Sequence, residues 1–527
     1  PPLSVTDCHV GICRCYIVMP LSPFPPSSLP APAEFVEHLR RLDAAACRSS
    51  AIRGRRRQQG SLAALANQPK ILGRIFDELD TASLLALAAT SPFFYGMIVY
   101  DEASWKERVI ERGGGNGGGF IFVRDWCTTG RLQAAAARTR RAIVVELPNG
   151  LGKACISCPA HRDPGRCAMQ CNGRLPAGGA AVAPLSLQGG LGEGVVELPP
   201  PPPHVTLSNF HNRDMWLNYY RAHVPLSHFA TIPRDTVPRV DARTLTVAEF
   251  HERYGEPNLP VVLTHAMDSW RAMTRWQSLD TLAASYPNIT IKTDEPGSNG
   301  RKMLMTLDNY RRYAAQCPDE DPVYIFDSSF GDRARGLMDD YAIPSVFHED
   351  FFAILGSSRP DHMWLVGGPP RTGSSFHLDP YMTSAWNAVT SGSKRWILFP
   401  PSTPPPCVPV GRDEEGDTTY DADEPIKYLL RSQFDQLPAD KRGLEIIQRA
   451  GEIIYVPSGW WHFVLNLEET VAVTHNHAMT SNFSHVHRDM LMPSNRKTWR
   501  KLRRRLRAVR PDLALKYNFN GADTRKA

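Results

Sequence analysis

In the run Phe376-His377-Leu378-Asp379-Pro380 an imidazole and a carboxylate stand at i and i+2. In an extended chain both side chains leave the same face. That is two thirds of a two-histidine, one-carboxylate set, which binds ferrous iron and leaves positions open for a bidentate cosubstrate and for O2. By itself a His-x-Asp pair is more often a turn or a hydrogen-bonded couple than a metal site. A third ligand must come from another strand, and the best-placed downstream residue is His462, which closes the run Gly451-Glu-Ile-Ile-Tyr-Val-Pro-Ser-Gly-Trp-Trp-His462 at an apolar strand-turn-strand. Between the two motifs, Lys394 immediately precedes the apolar stretch 395–399. A lysine buried there needs an anionic partner.

These residues have to be carried by strands. Short β-rich runs at 259–263, 323–326, 363–366, 384–389, 395–399, 453–456, 463–467 and 471–474, separated by Gly and Pro, predict a barrel or sandwich. Thr246-Val-Ala-Glu249 reads as a capping box ahead of a short helix. Pro401 to Leu444, rich in Pro, Asp and Glu, falls between two core strands and is expected to be a disordered loop, the alternative being a rim or lid over the substrate.

The chain has 527 residues, 42% of them hydrophobic, which exceeds what one core usually organises, so several folded units joined by linkers are expected. Residues 1–60 mix Pro clusters with Arg53, Arg55, Arg56 and Arg57 and read as a disordered leader. From 61 to 112 Leu62, Leu65, Ile71, Leu72, Ile75, Phe76, Leu79, Leu84, Leu85 and Leu87 recur at helical spacing, with Asp80 and Ser83 as breaks and caps. Residues 113–206 hold a Gly-rich run, Pro199 to Pro203 and a cysteine group, and read as a low-complexity linker. The second folded unit is expected over 207–485, a basic helical extension over 486–516 and a tail over 517–527.

The net charge of +6 is uneven. Nine of the fifteen residues from Arg496 to Arg510 are Lys or Arg, with no acid among them. Such a helix suits a nuclear localisation or RNA-contact patch; alternatively it is a solvated helix packed through Trp499, Leu502 and Leu506, and both can hold. No apolar run is long enough to span a membrane. Eleven cysteines in a long chain, together with an iron that must stay ferrous, point to a reducing, intracellular setting. The expected localisation is nuclear, with the cytoplasm as a further site.

Taken together, these residues resemble the JmjC-domain oxygenases, most closely their arginine demethylase/lysyl hydroxylase (phosphatidylserine receptor-like) branch. The likeness runs from about 207 to 515. It rests on Leu-Pro-Val-Val-Leu at 259–263, Tyr-Ile-Phe-Asp-Ser-Ser at 324–329, the His377 motif, Ser-Ala-Trp-Asn at 384–387, Lys-Arg-Trp at 394–396 and Gly-Trp-Trp-His at 459–462. The resemblance implies a double-stranded β-helix of cupin or jelly-roll type with helical additions at both ends. It implies His377, Asp379 and His462 as ligands of Fe(II), and Lys394, Tyr324 and Thr474 around the distal carboxylate of 2-oxoglutarate, with Asn387 and Asn476 completing the pocket. Ser374 stands where the close family carries Thr. Thr474 and Asn476 share one strand face, whereas His475 points the other way. The implied reaction couples decarboxylation of 2-oxoglutarate to succinate with oxidation of a Lys or methyl-Arg side chain of a histone or RNA-binding protein.

Residues 61–112 are similar to an F-box, which implies a Skp-type adaptor of a cullin ubiquitin ligase and an alternative role as a substrate adaptor. Cys155, Cys158, Cys167 and Cys171, with His161 between, have ligand types and spacing compatible with zinc, the alternative being unpaired thiols in a flexible insertion. His475, His477, His485 and His487 read as surface or supporting residues.

Overall fold

The computed structural model describes residues 235–294, 302–317 and 319–519, most of 220–233, and upstream only segments, chiefly 78–88 and 126–139 and the backbone of 143–146 and 153–156. The chain divides into two compact units, Pro1–Pro225 with Ala315–Glu320, and Leu226–Ala314 with Asp321–Ala527.

In the first unit, helix α1 (Thr81–Ala88) buries Leu84, Leu85 and Ala88, and the Asp80 carboxylate caps it by accepting from the Ser83 amide at 2.7 Å. Helix α2 (Trp126–Thr139) and the antiparallel hairpin β1 (Ile143–Glu146) and β2 (Lys153–Ile156) follow. Both lie inside the stretch that composition reads as linker, so 113–206 is folded in part. The alanine run of α2 has high helix propensity but little apolar contrast, and periodicity therefore passes over it. Cys158, Cys167 and Cys171 lie outside the described residues, as do Leu62, Leu65, Ile71 and Leu72.

The second unit is a two-layer β roll. Its strands are β3 (Arg239–Asp241), β4 (Val261–Thr264), β5 (Thr290–Asp294), β6 (Lys302–Thr306), β7 (Tyr324–Asp327), β8 (Met363–Gly368), β9 (Gly373–His377), β10 (Ser384–Ser391) and β11 (Ser393–Phe399). They continue as β12 (Val410–Arg412), β13 (Thr418–Tyr420), β14 (Leu444–Arg449), β15 (Ile453–Val456), β16 (Trp461–Asn466) and β17 (Thr470–His477). The larger sheet runs β3-β4-β15-β10-β17-β8-β7-β5-β6 and the smaller β14-β11-β16-β9. Val262, Ala385, Ile454 and Val456 of the first interdigitate with Trp396, Leu398, Ile446 and Val464 of the second. Each buried Val, Ile or Leu among them contributes about 1.5–3 kcal/mol. The roll is thus the cupin or jelly-roll architecture, and the predicted capping box is present, with the Glu249 amide donating to the Thr246 hydroxyl.

The insertion after β11 is ordered, contrary to the disordered loop expected from its composition. It forms the hairpin β12–β13 and helix α3 (Pro425–Ser432). Tyr428 of α3 packs edge-on against Phe376 and lies beside Phe463 on the outer face of the smaller sheet. Arg395, fully buried, reaches from that same face to Asp435 and Glu445, so apolar and ionic contacts together fasten a segment whose composition is loop-like. Helices α4 (Phe483–Met490), α5 (Arg496–Val509) and α6 (Pro511–Lys516) close the chain. Trp499, Leu502 and Leu506 join Phe351, Phe352 and Phe483 in one buried cluster while Arg496, Lys497 and Arg504 stay exposed. The basic extension is therefore part of the unit that holds the roll.

Candidate metal centre and cosubstrate pocket

His377 ends β9 directly opposite His462 at the start of β16. An irregularity between the two strands sets Ser374 opposite Val464 and His377 opposite His462, so two residues three apart in sequence both meet the inner face. Gly459, at φ +73°, makes the tight turn that leads into His462. Asp379 lies just beyond β9 and begins a turn in which Tyr381 and Met382 have positive φ, 58° and 51°. That strained backbone is pinned by bonds from the Ser458 hydroxyl to the Met382 carbonyl (2.5 Å) and from the Thr383 hydroxyl to the Pro380 carbonyl (2.7 Å).

One ligand atom from each of His377, Asp379 and His462 lies within 4.8 Å of the others. The imidazole centroids are 4.0 Å apart, and His462 Nε2 is 3.9 Å from Asp379 Oδ1. Both Nδ1 atoms face main-chain carbonyls, His377 to Ser375 at 2.8 Å and His462 to Trp460 at 3.0 Å. This assigns the proton to Nδ1 in each ring and leaves both Nε2 lone pairs free for a cation. Burial, with His462 alongside, holds His377 down at about 4, so the neutral form that binds metal prevails at neutral pH. Asp379 Oδ2 is buried without a partner. Two neutral imidazoles and an unsatisfied carboxylate fit a divalent transition metal with open positions.

Lys394, Trp396 and Leu398 share the inner face of β11. Lys394 is 1% exposed. It makes no hydrogen bond or ion pair with any described residue, and burial pulls its ammonium down to about 7. The anionic partner expected for a buried lysine is not protein-borne. On the larger sheet Asn387, Thr474 and Asn476 meet the same interior, since Asn387 pairs with Thr474 and Ala385 with Asn476. Tyr324 is buried with Val366, Val389 and Ala472, and burial, with Asp294 nearby, pushes its phenol up, which keeps it a neutral donor. The Thr474 hydroxyl donates to the Trp386 carbonyl at 3.0 Å, and the Asn476 amide donates to Thr383 Oγ1 at 3.0 Å. The Thr474 hydroxyl would have to turn to donate to a ligand, whereas Asn476 Nδ2 keeps a second proton.

His475 does point the opposite way, onto Trp386, with rings parallel at 4.5 Å, and it bonds the Tyr341 hydroxyl at 2.8 Å. It and His477 are buried rather than at the surface; aromatic cover from Trp270, Trp276 and Phe347 accounts for the difference.

Two residues escape motif reasoning. Tyr420, on the inserted hairpin, accepts from the Leu378 amide at 3.4 Å and meets Trp461 edge-on at 5.1 Å, which places it between the two ligand-bearing segments. Asn466, opposite Lys394 in register, carries a buried Oδ1 with no partner. Neither lies in a recognisable run; strand pairing brings in Asn466, and packing of the inserted hairpin brings in Tyr420.

Known proteins are similar to this chain over the same strands. Residues 247–483 match the family model described as the Cupin-like domain. The chain is 39% identical over 253 residues to the Arabidopsis thaliana Arginine-specific demethylase JMJ22, covering 48% of each chain. It is 39% identical over 256 residues to the Caenorhabditis elegans Bifunctional arginine demethylase and lysyl-hydroxylase psr-1, covering 47% of this chain and 63% of that one. It is 27% identical over 290 residues to the Homo sapiens 2-oxoglutarate and iron-dependent oxygenase JMJD4, covering 51% and 64%. The alignment thus spans about half to two thirds of these relatives. The match to the Cupin-like domain model lies over the strands that bear His377, Asp379 and His462.

Proposed function

We propose that this protein is an Fe(II)- and 2-oxoglutarate-dependent dioxygenase that oxidises Lys or methyl-Arg side chains of protein substrates. The observation that carries the reading is the convergence of His377, Asp379 and His462, each histidine with Nδ1 tied to a carbonyl and Nε2 free, in a roll whose interior also holds the unpaired Lys394. Iron at this site would supply activation of O2 coupled to decarboxylation of 2-oxoglutarate. The chain's own part is positional. Lys394 and Tyr324 offer an ammonium and a phenol O–H to the distal carboxylate, Asn387, Thr474, Asn476 and Ser374 line the polar interior, and the apolar walls keep water out.

The iron chemistry is common to two outcomes. Oxygen inserted at a methylene leaves a stable hydroxylysine, whereas oxygen inserted at an N-methyl group yields a carbinolamine that releases formaldehyde. Mass spectrometry of basic and methyl-Arg peptides, incubated with the protein and with His377→Ala, separates a gain of one oxygen from a loss of one methylene. Absence of succinate with every such peptide would remove the reading.

A second reading is favoured by α1, whose Asp80 cap and buried Leu84 and Leu85 suit an F-box-like unit over 61–112 that docks a Skp-type adaptor. Here the oxygenase unit would select targets for a cullin ligase; affinity capture without any Skp-type partner would exclude it. The exposed face of α5 suits nuclear import or RNA, and the cysteine group suits zinc, testable by reporter localisation, by binding to RNA at graded salt and by metal analysis.

A further inference from the structure

Lys394 has two cross-strand neighbours on its own face, Gln448 on β14 and Asn466 on β16. Gln448 is already bonded at both ends of its amide. Its Oε1 accepts from Trp396 Nε1 at 2.8 Å, and its Nε2 donates to the carbonyls of Asn387 (2.8 Å) and Glu452 (2.9 Å). Its oxygen is satisfied without an ammonium.

Asn466 is different. It is fully buried, and the bonds around it fix which way its amide lies. The Thr372 hydroxyl donates its one proton to the Pro369 carbonyl at 2.5 Å, so its oxygen can only accept from Asn466 Nδ2, at 2.8 Å. Oδ1 is thereby turned the other way and is left without a partner. A buried amide oxygen left unmade costs about 1–3 kcal/mol, and the side chain directly across the ladder is a buried ammonium that also has none. Donor and acceptor are complementary and held on adjacent strands.

We propose that Asn466, through its free Oδ1, holds the Lys394 ammonium in the position from which it meets the distal carboxylate of 2-oxoglutarate. The inference rests on the reading of Lys394 as the cosubstrate anchor. Asn466 is a positioning residue in this arrangement. One ammonium proton is spent on the amide oxygen, two remain for the ligand, and the side chain is kept from folding back along the strand.

The test uses the full-length protein. KM for 2-oxoglutarate and kcat are read from succinate release, and the 2-oxoglutarate Kd is read by calorimetry with Mn(II) in the metal site. Loss of one hydrogen bond to a charged group predicts that Asn466→Ala and Asn466→Ser raise KM and Kd about tenfold while kcat stays within about twofold. Asn466→Asp, nearly isosteric, gives Lys394 an internal carboxylate and should raise both further. A lowered melting temperature with unchanged KM and Kd in all three variants would show that Asn466 is structural only and overturn the proposal. Wild-type protein that binds no 2-oxoglutarate, or Lys394→Ala that binds it as tightly as wild type, would instead overturn the reading of Lys394 itself.

Discussion

At the scale of single residues, the centre works by leaving the right atoms unsatisfied. The Nδ1 atoms of His377 and His462 are spent on main-chain carbonyls so that Nε2 faces inward, Asp379 Oδ2 is buried without a hydrogen bond, and the Lys394 ammonium has no anionic partner among the described residues. Such atoms are costly unless something is bound. Asp379→Ala should therefore lower Mn(II) or Fe(II) affinity at least about 100-fold in calorimetry, whereas Lys394→Ala should leave metal affinity unchanged and cost about 10- to 100-fold in 2-oxoglutarate affinity. Metal binding retained by Asp379→Ala would remove that residue from the ligand set. A second consequence concerns acid. Burial holds His377 at about 4 and His477 at about 3, against about 6.5 in an unfolded chain. The unfolded chain takes up protons first as pH falls, so stability present above about 6.5 is lost progressively toward those values. His477 has neither ring nitrogen bonded; His477→Leu should be neutral or stabilising at pH 7 and should lose less melting temperature than wild type on going to pH 5.

At the scale of elements, the insertion is clamped to the smaller sheet. Arg395, on the outer face of β11, is buried between Asp435 and Glu445 and lies over the Phe434 ring at 5.7 Å. Removing one member of a buried ionic group leaves the others uncompensated. Arg395→Ala should destabilise the protein by about 3–5 kcal/mol in chemical denaturation, with loss of order in 410–444 visible by hydrogen exchange. A change below about 1 kcal/mol would mean that solvent already screens the group. The inserted hairpin reaches the segment between His377 and Asp379 through Tyr420, so the same variant should also weaken metal binding.

At the scale of the whole second unit, the C-terminal helices complete the core. Trp499, Leu502, Leu506 and Phe519 cover Phe351, Phe352 and Phe483, and His487 sits among the rings of Trp499 and Tyr517 at 5.0 and 4.9 Å. Trp499→Ala is expected to cost about 3–5 kcal/mol, measured by denaturant midpoint, and charge reversal at exposed Arg496 or Arg504 about 0.5 kcal/mol or less. An equal effect of both would contradict a helix that is buried on one stripe and solvated on the other.

How much of this was legible beforehand depends on where the information sits. The convergence of the proposed ligands was readable because His377 and Asp379 are two residues apart and His462 follows a run of strand-forming apolar residues. The order of short strands likewise implied a roll, since period-two patterns are local. Strand β9 was missed because Gly373-Ser-Ser-Phe-His377 has little strand propensity. The insertion was misread because its acidic, Pro-rich composition hides the few side chains, Tyr428 and Phe434, that fasten it. Sequence by itself determined the ligand types, their spacing along the chain and the apolar strands that carry them. Only the tertiary structure decided which neighbours those residues meet across the ladder, as with Asn466 beside Lys394 and Tyr420 beside Leu378, because strand register and packing over long sequence separations set those contacts and no local pattern encodes them.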